Sequence, residues 1–467
     1  MNFVIKKDIT PFFIYAFFFV LLSACSFLTI PIYEYGIILI LFFGLIISLL
    51  NYKVFCQYYK QSKVNFYLIC FFLTSLCITT LINYNKNLSY NVVVSLFAYI
   101  YMFILMHSHQ NSICNINKHI TIFFKLISIY TNFMVIIGLV MYFLKCYGYL
   151  NIWGVKYNYG VGFRSAGFIQ LIGIYTSVST AGLLSSLSII ISFFYLLFFK
   201  REKTYWLITI ILNFVFLSLT SNMTSILATM AVVFLLFFLI TERKSAKHNY
   251  MSILKSAFVA FCITAIVFSF FRGTEYLSQK YYSHQEITSE QNKSIGGKTK
   301  HNFKSDTRDI SISFSNGGTG RVEIWKAALN QWKSQPIFGV GYKNINLTEK
   351  NKYGIVRYYN THNGYLAVLL ADGAIGFVII AIFMIRIFFT SLNTVLFKTN
   401  NKYYISIYLL TVYLLIFNLA QSQFIMERSI PSLLLFIFLG YIEKFYIEEK
   451  KEAMIGISKF EKAISNS

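Results

Sequence analysis

The sequence predicts an all-α polytopic membrane protein with about twelve transmembrane helices and one long outward-facing loop that carries short interfacial helices. Of its 467 residues 57% are hydrophobic and only 13% are charged, whereas about a quarter of the residues of a soluble protein are charged. Apolar stretches of roughly 20 residues recur from end to end, and each could cross a bilayer core of about 30 Å. These stretches are continuous, which excludes the short alternating strands of a membrane barrel.

Hydropathy gives the order of the spans and the domains. The predicted spans lie near 11–31, 36–51, 65–83, 91–107, 119–144, 172–199, 204–220, 222–241, 250–271, 366–390, 403–422 and 429–447. Residues 1–271 therefore hold nine spans, 272–361 form the large outer loop, 362–447 hold three spans, and 448–467 form a tail.

The net charge of +23 fits a membrane protein better than a nucleic-acid-binding one. Lysines and arginines are concentrated in alternate loops, for example at Lys6, before the first span, and at Lys200 and Arg201, after the sixth. Such loops face the cytoplasm. We therefore expect a multi-pass protein of the bacterial cytoplasmic (inner) membrane, with both termini in the cytoplasm and the long loop outside.

The seven cysteines lie mostly in apolar stretches and form no CxxC pair. We interpret them as small core residues rather than as a disulfide framework or a metal site. Carboxylates are sparse near the outer face, so we expect no divalent metal and no other cofactor.

The second half of the outer loop has helical periodicity. Its bulky and small residues recur at spacings of four, three and four, namely Arg321, Trp325, Ala328 and Trp332. This spacing places them on one face of a helix, which Thr319 could cap and Pro336 would end. With lysines elsewhere on its surface, the helix suits a membrane interface.

His362 is a candidate general base. It follows Thr361, a possible N-cap, so we expect the imidazole in the first turn of a helix. The positive end of a helix disfavours imidazolium and attracts phosphate oxygens, which would leave a neutral histidine able to accept a proton. The alternative is an interfacial histidine that stays hydrated.

Two arginines and one acid are further candidates. The planar guanidinium groups of Arg321 and Arg164 fit phosphate, although Arg321 could instead snorkel at a helix start and Arg164 could be an ordinary loop residue. Asp372 is the one acid in the tenth span. An intramembrane acid is a functional candidate, but close packing at Gly373 and Gly376 would equally let it bond to a facing backbone.

Three motifs in order resemble the bacterial O-antigen polymerase and O-antigen ligase family: GRVEIW at 320–325, FGVGY at 338–342 and HNGYLAVLLADGAIG at 362–376. The family has an arginine three residues before an aromatic position, whereas here Arg321 and Trp325 are four apart. GFRSAGF, around Arg164, is a partial match to a further family segment. Where relatives often have arginine after a serine, this chain has Asn222, and the role of that position stays open.

The resemblance implies the fold of the integral-membrane C-type glycosyltransferases and a glycan donor linked through pyrophosphate to undecaprenol. It implies that Arg321, with Arg164, binds the pyrophosphate and that His362 takes the proton of the acceptor hydroxyl. Asn363, Tyr365 and Trp325 would contact the glycan or orient the histidine. The partners implied are a second lipid-linked repeat unit or lipid A-core as acceptor, membrane lipids and a chain-length regulator.

Three functions remain open. A polymerase passes the glycan to the next lipid-linked repeat unit and is our preferred interpretation; a ligase passes it to lipid A-core. A lipid-glycan flippase or other transporter is the alternative from another class. Transporters commonly have repeated halves and charges near mid-membrane, whereas here the polar motifs lie at one face and no repeat is evident.

Overall fold

The computed structural model describes most of the chain. The described residues are 22, 24–25, 46, 53–84, 88–152, 155–163, 169–244, 250–281, 321–351, 354–358, 361–421, 424 and 429–465. The predicted spans near 11–31 and 36–51 therefore lie outside the described residues, apart from single positions.

The described residues form twelve α-helices, which confirms the predicted all-α class. They are α1 (Lys53–Gln61), α2 (Lys63–Ile82), α3 (Leu88–His109), α4 (Ile113–Phe143), α5 (Val178–Phe194), α6 (Lys203–Thr220), α7 (Met223–Lys244), α8 (Tyr250–Tyr281), α9 (Arg321–Trp332), α10 (Gly364–Asn393), α11 (Lys402–Phe417) and α12 (Ile430–Ser465). Within the described ranges eight helices are long and apolar enough to cross a membrane, namely α2, α4, α5, α6, α7, α8, α10 and α12.

One predicted boundary was wrong. The sixth span does not begin near 172, because residues 169–173 form a strand and the helix begins at Val178. Helices α8 and α12 continue to Tyr281 and Ser465, while their apolar parts, Tyr250–Thr274 and Ile430–Glu452, lie close to the predicted ninth and twelfth spans. In α12 the polar turns that follow the apolar part stay helical because they are rich in Glu, Lys and Ala, which favour helices.

Two small antiparallel sheets were not predicted. Strands β1 (Tyr147–Ile152), β2 (Val155–Phe163) and β3 (Ile169–Gly173) form one sheet, and β4 (Leu347–Asn351) and β5 (Gly354–Tyr358) form a hairpin. The first sheet had a signal, because apolar and aromatic residues alternate along VKYNYGVGF in β2.

The described elements fall into two compact units. The first contains α1 to α3, the beginning of α4, the β4–β5 hairpin and α9 to α12. Inside it α2 packs against α10, α3 packs against α12, and α9 lies on α10 and β4. This unit contains the candidate catalytic residues Arg321 and His362.

The second unit contains the rest of α4, the three-stranded sheet and α5 to α8. Its core is an apolar cluster contributed by four helices, made of Ile189, Phe214, Leu217, Ile226, Met230 and Phe271. Much of the outer surface of α8 is exposed and apolar, as expected for a helix that faces lipid.

Candidate active site

Helix α9 carries Arg321 on its first turn and is fixed by its apolar face. Ile324, Ala327 and Ala328 are buried and pack against Leu347 of β4 and Leu370 of α10. The predicted helix is therefore confirmed, and the part of it that was expected to rest on the membrane interface is covered by protein. Burial of this face sets the position of Arg321, which is itself half-buried.

Trp325 connects α9 to the chain at His362. Its indole Nε1–H donates a hydrogen bond of 3.1 Å to the carbonyl oxygen of Thr361, the residue before His362. The indole also packs at the edge of the α9 cluster. Because Trp325 lies one turn after Arg321, this bond ties the helix of the arginine to the peptide that carries the imidazole.

The cap of α10 is Asn363, so the predicted cap at Thr361 was wrong. The Asn363 side-chain oxygen accepts hydrogen bonds from the backbone N–H groups of Tyr365 (2.9 Å) and Leu366 (3.0 Å). Thr361 instead closes a turn around His362, since its hydroxyl donates to the Asn363 carbonyl at 2.8 Å. His362 therefore precedes the helix rather than lying within its first turn.

His362 has a left-handed backbone, with a φ of 47°. A non-glycine residue in this region carries strain of about 1–3 kcal/mol and persists only when its surroundings hold it there. Partial burial and, second, the positive charge of Arg321 lower the pKa of His362 below its ordinary value. The imidazole is therefore neutral at neutral pH and able to accept a proton.

The end of α11 holds the other side of the His362 turn. Gly364 N–H donates to the Asn418 carbonyl at 2.8 Å, and the Tyr365 hydroxyl donates to the Leu415 carbonyl at 2.9 Å. A Cβ at Gly364 would lie 2.7 Å from Cβ of Phe424, so only glycine fits. The histidine is thus fixed between Trp325 on one side and α11 on the other.

A break in α10 joins this helix to the chain that follows α9. Gly373 leaves the helical conformation, with a φ of 68° and a ψ of −169°. Residues 336–341, the docked segment, supply hydrogen bonds in both directions across the break: Val340 N–H to Leu370 O (2.8 Å), Gly341 N–H to Ala371 O (3.0 Å), Ala374 N–H to Pro336 O (2.8 Å) and Ile375 N–H to Ile337 O (3.3 Å). The FGVGY motif therefore bonds to the interior of a membrane span.

The other site residues considered from the sequence are Arg164, Asn222, Asn363 and Tyr365. Arg164 lies outside the described residues. Asn222 belongs to the second unit, where its side-chain oxygen accepts from Ser225 N–H at 3.3 Å immediately before α7. This contact places Asn222 as a capping residue at the start of α7. Asn363 and Tyr365 adjoin His362, but the oxygen of each side chain already bonds to backbone.

Asn418 was not among the predicted site residues. It is fully buried at the end of α11, its Nδ2 donates to the Leu414 carbonyl at 2.8 Å, and its Oδ1 has no hydrogen-bond partner within the part of the chain that is described. An asparagine in the apolar stretch LLIFNLA is unusual. This polar residue in an apolar stretch was the feature of the sequence that could have identified Asn418.

Residues 208–381 match the model of a family described as O-antigen ligase. Over this stretch the chain is similar to O-antigen ligases. The match contains Arg321, Trp325, the docked segment and His362, so the family resemblance suggested by the three motifs is confirmed. No curated protein matches the chain. The matched residues include all of α7, α8 and α9 and parts of α6 and α10.

Proposed function

We propose that the protein is a surface-polysaccharide polymerase that transfers a glycan from undecaprenyl pyrophosphate to the next lipid-linked repeat unit. The reaction takes place on the periplasmic face of the inner membrane. The observation that carries the proposal is the placement of a neutral, strained His362 beside Arg321, inside a stretch that matches the O-antigen ligase family.

The proposed step is a displacement at the anomeric carbon. A hydroxyl oxygen of the acceptor sugar forms a bond to that carbon while the bond from carbon to the pyrophosphate oxygen breaks. His362 takes the hydroxyl proton, and undecaprenyl pyrophosphate leaves with the bonding electron pair. General-base catalysis of this kind contributes roughly 10²–10⁴-fold.

Arg321 is assigned to the leaving group. Its guanidinium can bind pyrophosphate oxygens through two parallel hydrogen bonds and stabilise the charge that develops there. Burial is the larger cause of the lowered pKa of His362, and the positive charge of Arg321 lowers that pKa further because it disfavours imidazolium. One side chain therefore serves both the leaving group and the base.

A ligase that transfers the glycan to lipid A-core is the second candidate, because the matched family is described as O-antigen ligase. The two reactions share donor and base and differ in acceptor. Deletion of the gene separates them on a gel of the cell-surface glycan. Core with one repeat unit indicates a polymerase, whereas bare core with long glycan accumulating on the lipid carrier indicates a ligase. Unchanged surface glycan would contradict both.

A further inference from the structure

Asp372 lies immediately before the break in α10 and is completely buried. Its two carboxyl oxygens contact hydroxyl groups of α2: Oδ1 lies 2.7 Å from Thr79 Oγ1, and Oδ2 lies 2.6 Å from Ser75 Oγ. A side chain at Gly376 would collide with the carboxyl group. The glycine therefore leaves the space that Asp372 fills.

The hydrogen bonds around Thr79 determine where the protons lie. Thr79 Oγ1 is 2.6 Å from the carbonyl oxygen of Phe338 as well as 2.7 Å from Asp372 Oδ1. A threonine hydroxyl has one proton to donate, and a carbonyl has none. Thr79 must therefore donate to Phe338, and the short contact with Asp372 needs a proton from the acid. A neutral acid also avoids the large cost of burying an isolated carboxylate.

We propose that Asp372 is a positioning residue for the His362–Arg321 site and that it acts as a neutral, hydrogen-bond-donating acid. The chain of bonds runs from Asp372 to Thr79 and from Thr79 to Phe338 O, in the middle of the docked segment. Asn83 Nδ2 adds a bond of 3.2 Å to Gly339 O. Helix α2 thereby holds the docked segment in the break.

This arrangement fixes Arg321 relative to His362. The docked segment follows α9 along the chain. It bonds to Leu370 and Ala371 of α10, and the first turn of α10 adjoins His362. Leu370 also belongs to the apolar cluster that seats α9. If the docked segment left the break, α9 could shift against α10. A displacement of about 1 Å at a catalytic group can lower the rate roughly 100-fold. The catalytic part of this inference rests on the proposed function.

Variants of similar size distinguish a neutral Asp372 side chain from an ionised one. In Asp372→Asn the amide can donate to Thr79 and accept from Ser75 with no charge, whereas Asp372→Ala loses both bonds. Thr79→Val removes the relay at nearly constant volume, and Thr79→Ser keeps it. Thr80→Val is the matched control, since Thr80 on the same helix bonds to Leu76 O and Ser95 instead.

Two measurements on the full-length protein in detergent test the proposal. The first is kcat and KM with lipid-linked glycan extracted from membranes of the deletion strain. The second is hydrogen exchange of a peptide covering 336–341. We expect Asp372→Asn, Thr79→Ser and Thr80→Val to match the wild type. Asp372→Ala and Thr79→Val should exchange about tenfold faster or more and lose kcat with little change in KM.

Three outcomes would overturn the proposal. If Asp372→Asn behaves like Asp372→Ala, the group is needed as an anion. If Asp372→Ala and Thr79→Val keep slow exchange, neither residue holds the docked segment. If kcat falls while exchange is unchanged, Asp372 acts other than by positioning. An inactive wild type would contradict the proposed function alone, because hydrogen exchange would still decide whether Asp372 holds the segment.

Discussion

Trp325 Nε1 lies 3.1 Å from the carbonyl oxygen of Thr361 and donates a hydrogen bond to it. The two residues are 36 positions apart, and the bond joins the helix that begins at Arg321 to the peptide before His362. The relative position of the proposed phosphate-binding and proton-accepting groups therefore depends on a contact that neither of them makes.

Trp325→Phe should separate the hydrogen bond from the packing of the ring. The phenyl ring can keep contact with the α9 cluster, but the donor to Thr361 O is lost. We expect kcat to fall roughly fivefold, with KM changing less, since one hydrogen bond contributes about 1 kcal/mol. Trp206→Phe is the matched control, because Trp206 is buried in the second unit and its Nε1 has no hydrogen-bond partner among the described residues. Equal kinetics in the two variants would refute a positioning role for Trp325.

The pH dependence of activity should report the protonation of His362. Only the neutral imidazole accepts a proton, so kcat/KM should be level at and above pH ~6.5 and should fall as pH drops through the pKa of His362, which lies below that ordinary value. Arg321→Gln removes a charge that lowers this pKa, so its acid limb should move to higher pH. Arg321→Lys keeps the charge and should leave the limb in place.

These profiles are compared after each variant is scaled to its own plateau, because Arg321→Gln should also lower the plateau. An acid limb that stays in place in Arg321→Gln, or moves to lower pH, would rule out electrostatic coupling between Arg321 and His362. It would leave burial, the larger cause of the lowered pKa, as the remaining influence.

Gly364→Ala should damage the His362 turn. The added methyl group would lie 2.7 Å from Phe424 Cβ and 3.2 Å from Asn418 Oδ1, and Phe424 Cβ is attached directly to the backbone. We expect lower thermal stability and at least tenfold lower kcat, since small displacements of catalytic groups are costly. Gly273→Ala is the control, because a Cβ there meets no atom within 4 Å. Wild-type activity in Gly364→Ala would show that this turn tolerates displacement.

Local sequence patterns predicted eight spans that the described residues contain, and helix α9, because both follow from periodicity and length. They failed at the start of α10, where Thr361 and Asn363 are both good caps. The choice there depends on Gly364 N–H bonding to Asn418 O, far along the chain. The docked segment was missed for a related reason, since its bonds to α10 cross some thirty residues and no local pattern encodes them.

The most direct test of the central claim is complementation of a deletion strain by His362→Ala. Lys326→Ala is the control, because Lys326 is exposed on α9, and all proteins must be present at equal levels in the membrane. We predict that the deletion strain shows core with one repeat unit on a gel, and that the wild type and Lys326→Ala restore the ladder of long glycans. His362→Ala and Arg321→Ala should not restore it. A full ladder with His362→Ala would contradict the assignment of this histidine as the base that accepts the acceptor's proton.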